Sequence, residues 1–336
     1  MSKALVSYAL NDRPGVSDAT RARIVEIAAS MGWTPSMRAR GLSSSRAYAI
    51  GMVLRLSTET LASDEWMTSL MAGMHSVLSG SSYALATETV TDAEAEMAAH
   101  RKLVGEGRVD GMVLLNLSPN DSRLDLMDEH GMAYVCVNPP DRPTRMPVVD
   151  HDESQASADV INHLTSLGHT RIAHVAGPQS LSSARLRREL YQEQLRKHGL
   201  DDSWWVEQGA YSADGGRAAT NALLDDPNPP TAIVYFNDLM AIAGMGVAFS
   251  RGLRVPQDLS VVGWDDIVVA RYLHPALSTV TQDPYGVGRV CATLLLEAID
   301  GREFTEICLT ADPVFTPRES TGRVARSATS ASASTP

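Results

Sequence analysis

From residue 48 to about 264 the chain alternates short, uninterrupted apolar runs with amphipathic stretches, and it does so in two successive sets. In the first set, runs near Ala49–Leu54, Tyr83–Thr87, Val109–Leu115 and Ala133–Val137 are separated by helical patterns over Asp64–Ser79, Asp92–Glu106 and Arg123–Glu129. After Val148-Val149-Asp150 the alternation restarts. Helical patterns at Glu153–Leu167, Ser183–Lys197, Asp214–Leu224 and Leu239–Arg251 now alternate with runs at Arg171–Ala176, Trp204–Glu207, Ala232–Phe236 and Ser260–Trp264. Strands that are apolar on both faces belong in parallel sheets covered by helices. Two such sets predict an α/β fold of two doubly wound parallel-sheet lobes. Ligands of such lobes bind beyond the strand C-termini, in the cleft between them.

The first 47 residues have a different period. Leu5, Val6, Ala9 and Leu10 recur at helical spacing, and Asn11 can close that helix. Arg13-Pro14-Gly15 reads as a turn. A second helix from Asp18 to about Met31, capped by Ser17, is expected to bury Ile24, Val25, Ile27 and Ala28. Together they read as the end of an all-α helix-turn-helix headpiece. Ser36–Ser43 follows Pro35 as a short marginal helix with Gly41 inside it. Residues 322–336 are rich in Ser, Ala and Thr with no apolar period, and are expected to be disordered.

Charge supports a division of labour. The chain carries −11 overall, yet residues 1–48 hold seven basic and three acidic residues, a net +4 that leaves −15 on the remainder. A basic head on an acidic body suits local contact with phosphate. Cys136, Cys291 and Cys308 are odd in number and widely spaced, which reads as reduced core cysteines of a cytoplasmic protein. No run reaches the roughly 18 apolar residues of a membrane span, and no secretory leader opens the chain.

Several phrases resemble the lactose-repressor (LacI/GalR) family of transcription regulators. Met1–Asn11 and Pro14–Arg23 match its V-S-x-x-x-V-S-x-x-L-N and P-G-V-S-x-x-T-R-x-R pattern. Leu167-Gly168-His169-Thr170-Arg171-Ile172-Ala173 through Gly177-Pro178 matches L-G-H-x-R-I-A-x-x-x-G-P. Asn237–Gly244, Val255–Asp266 and Arg318–Thr321 match further family phrases. The resemblance implies a periplasmic-binding-protein-like core of type I over 48–321. Its first lobe would take in about 48–150 and 282–309, its second about 151–281 and 310–321. Before the core would come a headpiece at 1–47 with a hinge helix at 36–43. The family also has a helix ahead of the first one here, and Met1 stands where Val is usual. The native start is therefore expected upstream, and the chain as given is expected to hold operator poorly.

Candidate ligand-binding residues follow from position. Trp264-Asp265-Asp266 and Asn237-Asp238 each come directly after a buried run, so polar side chains there reach the cleft. Ser183 and Arg187 share one helix face. A carboxylate, an amide, a guanidinium and aromatic faces suit a polyhydroxylated ligand. The resemblance implies effector contact at Arg187, Asn237 and Asp265, and extends to Ser183, Tyr211, Trp264 and Gln282. Asp238 is expected to cap its helix, and Asp266 either caps the next one or faces the cleft. On the first helix, Lys3, Ala4 and Tyr8 match the family's base-reading positions, while Ser2, Ser7, Asn11 and Ser17 are placed for phosphates. Leu42 and Ala39 stand where the hinge helix wedges the minor groove and meets its partner.

The expected partners are operator DNA, a sugar-like effector and a second copy of the chain; no membrane, metal or cofactor is expected. The dimer face would involve Trp66, Leu70 and Met74 with the helix around Ala241–Phe249. No G-x-S-x-G, H-E-x-x-H or phosphate loop occurs, and Gly286-Val287-Gly288 is a lone G-x-G inside a helical pattern, so no enzyme class is indicated. The alternatives are an effector sensor that holds no DNA and a sugar-binding transport protein.

Overall fold

The computed structural model describes residues 2–10, 14–32, 46–207, 211–304 and 306–324. Two helices open the chain, α1 (Lys3–Leu10) and α2 (Asp18–Ser30). Next come β1 (Ala49–Arg55), α3 (Thr58–Ser63), α4 (Glu65–Leu78), β2 (Ala84–Val90), α5 (Ala93–Gly105), β3 (Gly111–Leu114), α6 (Ser122–Glu129), β4 (Ala133–Val137) and β5 (Val148–Asp150). The second set is α7 (Ser154–Ser166), β6 (Ile172–Ala176), α8 (Ser182–Lys197), β7 (Trp205–Glu207), α9 (Ala213–Leu224), β8 (Ala232–Tyr235), α10 (Asp238–Ser250) and β9 (Ser260–Val262). A 3₁₀ turn (Val268–Tyr272), β10 (Thr279–Thr281), α11 (Pro284–Ile299), β11 (Ile307–Leu309) and β12 (Val314–Thr316) complete it.

The strands form two parallel sheets. One runs β11-β5-β4-β3-β1-β2 and the other β7-β6-β8-β9, while β10 and β12 pair antiparallel. Strand order reverses between β1 and β3 in the first sheet and between β6 and β8 in the second. These are the switch points at which a doubly wound sheet opens a crevice at its carboxyl ends. The inner strands are buried along their length, with Ile50, Met52, Val135, Val175, Ile233 and Val261 inaccessible. That is the apolar-on-both-faces pattern of a sheet sandwiched between helices.

Helix starts follow ordinary capping chemistry. The Asp64 carboxylate accepts the Met67 N–H at 2.8 Å, and Asp283 does the same for Gly286 ahead of α11, with Pro284 at its first position. The crossing of α4 and α11 depends on two glycines. A Cβ on Gly73 would lie 2.0 Å from the Tyr285 carbonyl oxygen, and one on Gly288 would lie 2.0 Å from the Leu70 carbonyl oxygen. Backbone therefore touches backbone, and Gly73→Ala is expected to destabilise the protein by about 1–3 kcal/mol through overpacking. A urea unfolding midpoint unchanged from the parent would contradict this close approach.

The same crossing corrects two expectations. Leu70 and Met74 are fully buried in the core beneath α11, beside Cys291 and Leu295, so they are not dimer-surface residues. Their periodicity reports an internal neighbour, which sequence alone cannot tell from an external one. In α2 only Ile24 of the expected apolar set is buried. Val25 and Ile27 are exposed because the short α1 covers a single face. The first residues of the tail belong to the fold, since Gly322 N–H donates to Ser260 Oγ at 3.0 Å and Val324 N–H donates to Leu167 O at 3.2 Å. The hinge at 36–43 and the remaining tail lie outside the described residues.

Candidate functional site

The carboxyl ends of the two sheets face each other across a cleft. Its inner chamber, about 110 Å³, is walled by Asp64, Trp66 and Asn138 from the first lobe, by Arg187 and Asp265 from the second, and by Gln282 at the crossover between them. Ser183, Tyr211 and Asn237 complete the second lobe's side. Six of the seven residues proposed from sequence thus line one chamber. The seventh, Trp264, is buried behind Arg187 and serves as a packing plane, because its side chain points into the core formed by Val262, Ile172 and Val280.

Arg187 is the electrostatic centre. Its Nε and Nη2 donate to the two carboxylate oxygens of Glu153 at 2.8 and 2.5 Å, and Nη1 donates to the Phe236 carbonyl at 3.0 Å. The guanidinium plane lies 4.4 Å from the Phe236 ring centroid and 4.1 Å from that of Trp264. Such a fork-to-fork pair between aromatic faces suits a buried arginine and would not suit lysine. Burial alone would raise the Glu153 carboxyl; Arg187, helped by His151, overrides it and holds the group at about 2.

Asp265 follows β9 at φ +117°, a region that L-residues rarely occupy and that stores strain. Its backbone N–H donates to Val280 O at 2.8 Å, and its carboxylate accepts from Gln282 Nε2 at 2.8 Å. Burial, with the charges of Asp238 and Asp64 nearby, pushes its carboxyl well above the usual range. Asn116 and Asn138, after β3 and β4, also lie at positive φ, +52° and +69°, and line the same chamber. Asn tolerates this conformation more readily than most residues.

The tandem Asn237-Asp238 divides its roles opposite to expectation. Asn237 caps α10, accepting the Met240 N–H at 2.9 Å, and donates to the Tyr211 carbonyl at 3.3 Å. Asp238 is wholly buried, accepting from Thr279 Oγ1 at 2.5 Å and from Ile267 N–H at 2.9 Å. The caps of sequential polar residues cannot be separated without the backbone turn that precedes them. Asp266 neither caps a helix nor faces the ligand. It binds Arg318 at 2.5 Å.

Burial raises the Asp238 carboxyl to about 7, against the pull of its two hydrogen bonds. Between about pH 4 and 7 the folded chain holds a proton that the unfolded chain has released. The stability this supplies is present in acid and is lost as pH rises to 7. Asp238→Asn is therefore expected to gain stability relative to the parent across that window and to level off above it. Urea midpoints at pH 5, 6, 7 and 8 read the difference, and a constant difference would refute the assignment.

In the headpiece, α1 and α2 pack across the Pro14-Gly15-Val16 turn, and Arg21 donates to the Ala9 carbonyl at 3.2 Å. Ala9 and Ile24 are buried between them, whereas Ser2 and Tyr8 are exposed. Ser17 holds the cap position of α2 but offers its side chain to the Thr20 hydroxyl at 2.9 Å instead of a backbone N–H. Lys3, Ala4 and Ser7 lie on α1, and nothing further is described of their side chains. Asn11, Ala39 and Leu42 fall outside the described residues.

Sequence reasoning missed Glu153, the partner of Arg187, and the whole first-lobe side of the chamber. Asn116 and Asn138 carried the signal already used for Asp265, a polar residue directly after a buried strand. Glu153 carried none, because its partner is 34 residues away on another helix.

Two facing parallel sheets with a polar cleft at their switch points, behind a pair of N-terminal helices, define a two-lobed ligand sensor with a DNA-binding head. Residues 161–321 match the family model described as a periplasmic binding protein-like domain. The chain is 30% identical to the HTH-type transcriptional regulator CelR of Thermobifida fusca, over 95% of each chain. It is 28% identical to the HTH-type transcriptional repressor CytR of Escherichia coli K12, over 90% of this chain and 87% of that one. Among solved structures it resembles a CelR–cellobiose complex (TM-score 0.75, 28% identity, 95% and 96% covered). It also resembles the lac repressor dimer bound to operator and an anti-inducer (TM-score 0.79, 25% identity, 96% of each). The protein belongs to the LacI family of transcription regulators.

Proposed function

We propose that this regulator is a cytoplasmic repressor, without catalytic activity, whose hold on operator DNA is set by a sugar bound between its lobes. The observation that carries the reading is the inner chamber. The Asp64 and Asp265 carboxyls from the two lobes, the Gln282 and Asn138 amides, and the Trp66 and Tyr211 rings together match a ring with hydroxyls at its rim and C–H faces above and below. Arg187, Asp265, Ser183 and Gln282 would contact it, with Asp64, Asn116 and Asn138 added from the first lobe. The likeness to a relative solved with cellobiose supports the same class.

The sheet memberships support lobes of about 48–150 with 282–309, and about 151–281 with 310–324. Away from the crossover segments, hydrogen bonds tie these lobes directly: Ser182 N–H donates to Leu117 O, and Val268 N–H donates to the Glu65 carboxylate, each at 2.8 Å. A ligand that favours one lobe angle over another transmits its choice to the headpieces of a dimer, a coupling commonly worth about 1–3 kcal/mol. The C-lobe end of that dimer would use α10, where Phe249 is 84% exposed beside Met245 and Leu253. On the head, Ser2, Tyr8 and Ser17 are exposed, and these with Lys3, Ala4 and Ser7 would face DNA.

Selection of bound fragments from random-sequence DNA, repeated with saccharides added, tests the proposal. A palindromic site released by a saccharide is the expected result. A site whose occupancy no saccharide alters would overturn the sugar reading, and failure to select any site even at low salt, where phosphate contacts are strongest, would overturn the operator reading.

A further inference from the structure

The inner chamber is not the whole of the cleft. A second chamber of about 530 Å³ opens toward solvent between Arg55, Thr60 and Thr91 of the first lobe and Pro178, Ser180 and Leu181 of the second. Leu56, Asn116 and Tyr211 wall both spaces, so the two are continuous. The inner space of about 110 Å³ falls below the roughly 300–1,000 Å³ of ordinary small-molecule sites, whereas the outer one of about 530 Å³ lies within that range, so most of the room for a ligand is in the outer chamber.

The outer wall is electrically balanced. Arg55 lies 3.4 Å from Glu96, Glu96 lies 2.8 Å from Arg123, and Arg123 lies 2.7 Å from Asp121. Opposite charges alternate along this row, so no net charge is left to draw an ionic group. Around it stand hydroxyls from both lobes (Thr60, Thr91, Ser180) and the apolar Leu181 and Tyr211. The inner wall, by contrast, presents Asp64 and Asp265, with no lysine on either and with Arg187 already engaged by Glu153. Among these lining residues no cation is left free to pair with a phosphate or carboxylate on the ligand.

We infer that the effector is a neutral saccharide of at least two units, with one ring in the inner chamber and the next between Arg55 and Leu181. This rests on the sugar reading above and gives it a length and a charge. A base-bearing ligand fits the outer chamber less well. The ring available there, Tyr211, already stacks on Phe236 at 5.0 Å between centroids, and hydroxyls make up much of the remaining wall.

Calorimetric titration of the full chain with cellobiose, maltose, lactose and trehalose, with glucose and galactose as single units and cytidine as the base-bearing probe, tests this. At least one disaccharide is expected to bind 30-fold or more tighter than its own monosaccharides. Ser180→Trp and Thr91→Trp fill the outer chamber from opposite lobes at exposed positions. Each is expected to bring the disaccharide's affinity down to that of its own monosaccharides. Asp265→Ala should remove both. Monosaccharides that bind as tightly as disaccharides in an Asp265-dependent way would overturn the inference and leave the sugar reading standing. So would a disaccharide preference that survives both tryptophans. Binding of cytidine alone, or of no saccharide, would overturn both.

Discussion

Arg187→Ala is expected to remove about 3–5 kcal/mol of stability along with the response to effector. The substitution does more than delete a ligand contact. It strands Glu153, a buried carboxylate otherwise held at about 2, without the charge that permits its burial. It also empties the slot between Phe236 and Trp264. The ion pair thus gives Arg187 a structural weight beyond any contact with a ligand. Urea unfolding reads the loss. Adding Glu153→Gln to Arg187→Ala should recover part of it, because the stranded charge is gone. If Arg187→Ala unfolded at the parent's midpoint, the pair would have no structural weight.

Asp265→Gly should act in the opposite sense on stability and more severely on binding. Its carboxyl is the group that the second lobe offers to a ligand hydroxyl, and a buried polar group left without its partner costs about 1–3 kcal/mol. Effector affinity is expected to fall roughly 100-fold, or about 2.8 kcal/mol at 1.4 kcal/mol per decade. The unliganded protein, however, should gain about 1 kcal/mol. Glycine accepts φ +117° without strain of about 1–3 kcal/mol, less its own backbone entropy of about 0.5–1 kcal/mol. The carboxyl crowded by Asp238 and Asp64 also disappears. Thermal unfolding with and without saccharide separates the effects: a higher melting temperature alone, and no ligand-induced rise. A ligand-induced rise equal to the parent's would remove Asp265 from the site.

The sheets were legible because their strands are continuous apolar runs, and so were the long helices between them. The elements that escaped, α3, β10, β11 and β12, are three to six residues long, too short to express a period. The second-lobe wall of the cleft was legible from polar residues directly after strands and from the family resemblance. The first-lobe wall, Asp64 with Asn116 and Asn138, was not assigned, although two of its three members obey the same strand-end rule. What sequence could not express is partnership across distance. Glu153 is bound to Arg187, Asp238 to Thr279, and Leu70 meets α11 through a glycine more than 200 residues away. Each is a fact about which surfaces meet, and one chain's periodicity carries no information on that.

The strand-end residues at positive φ bear on how such a cleft can change its ligand. At Asn116, Asn138 and Asp265 the backbone conformation favours Asn, Asp and Gly over other side chains, whatever molecule is bound. Ser183, Trp66 and Gln282, which share the chamber, carry no positive φ and are free of that restriction. A library that varies these three over an unaltered frame therefore searches specificity without searching folding. A library that randomises all six spends most of its members on chains with a strained or misplaced cleft.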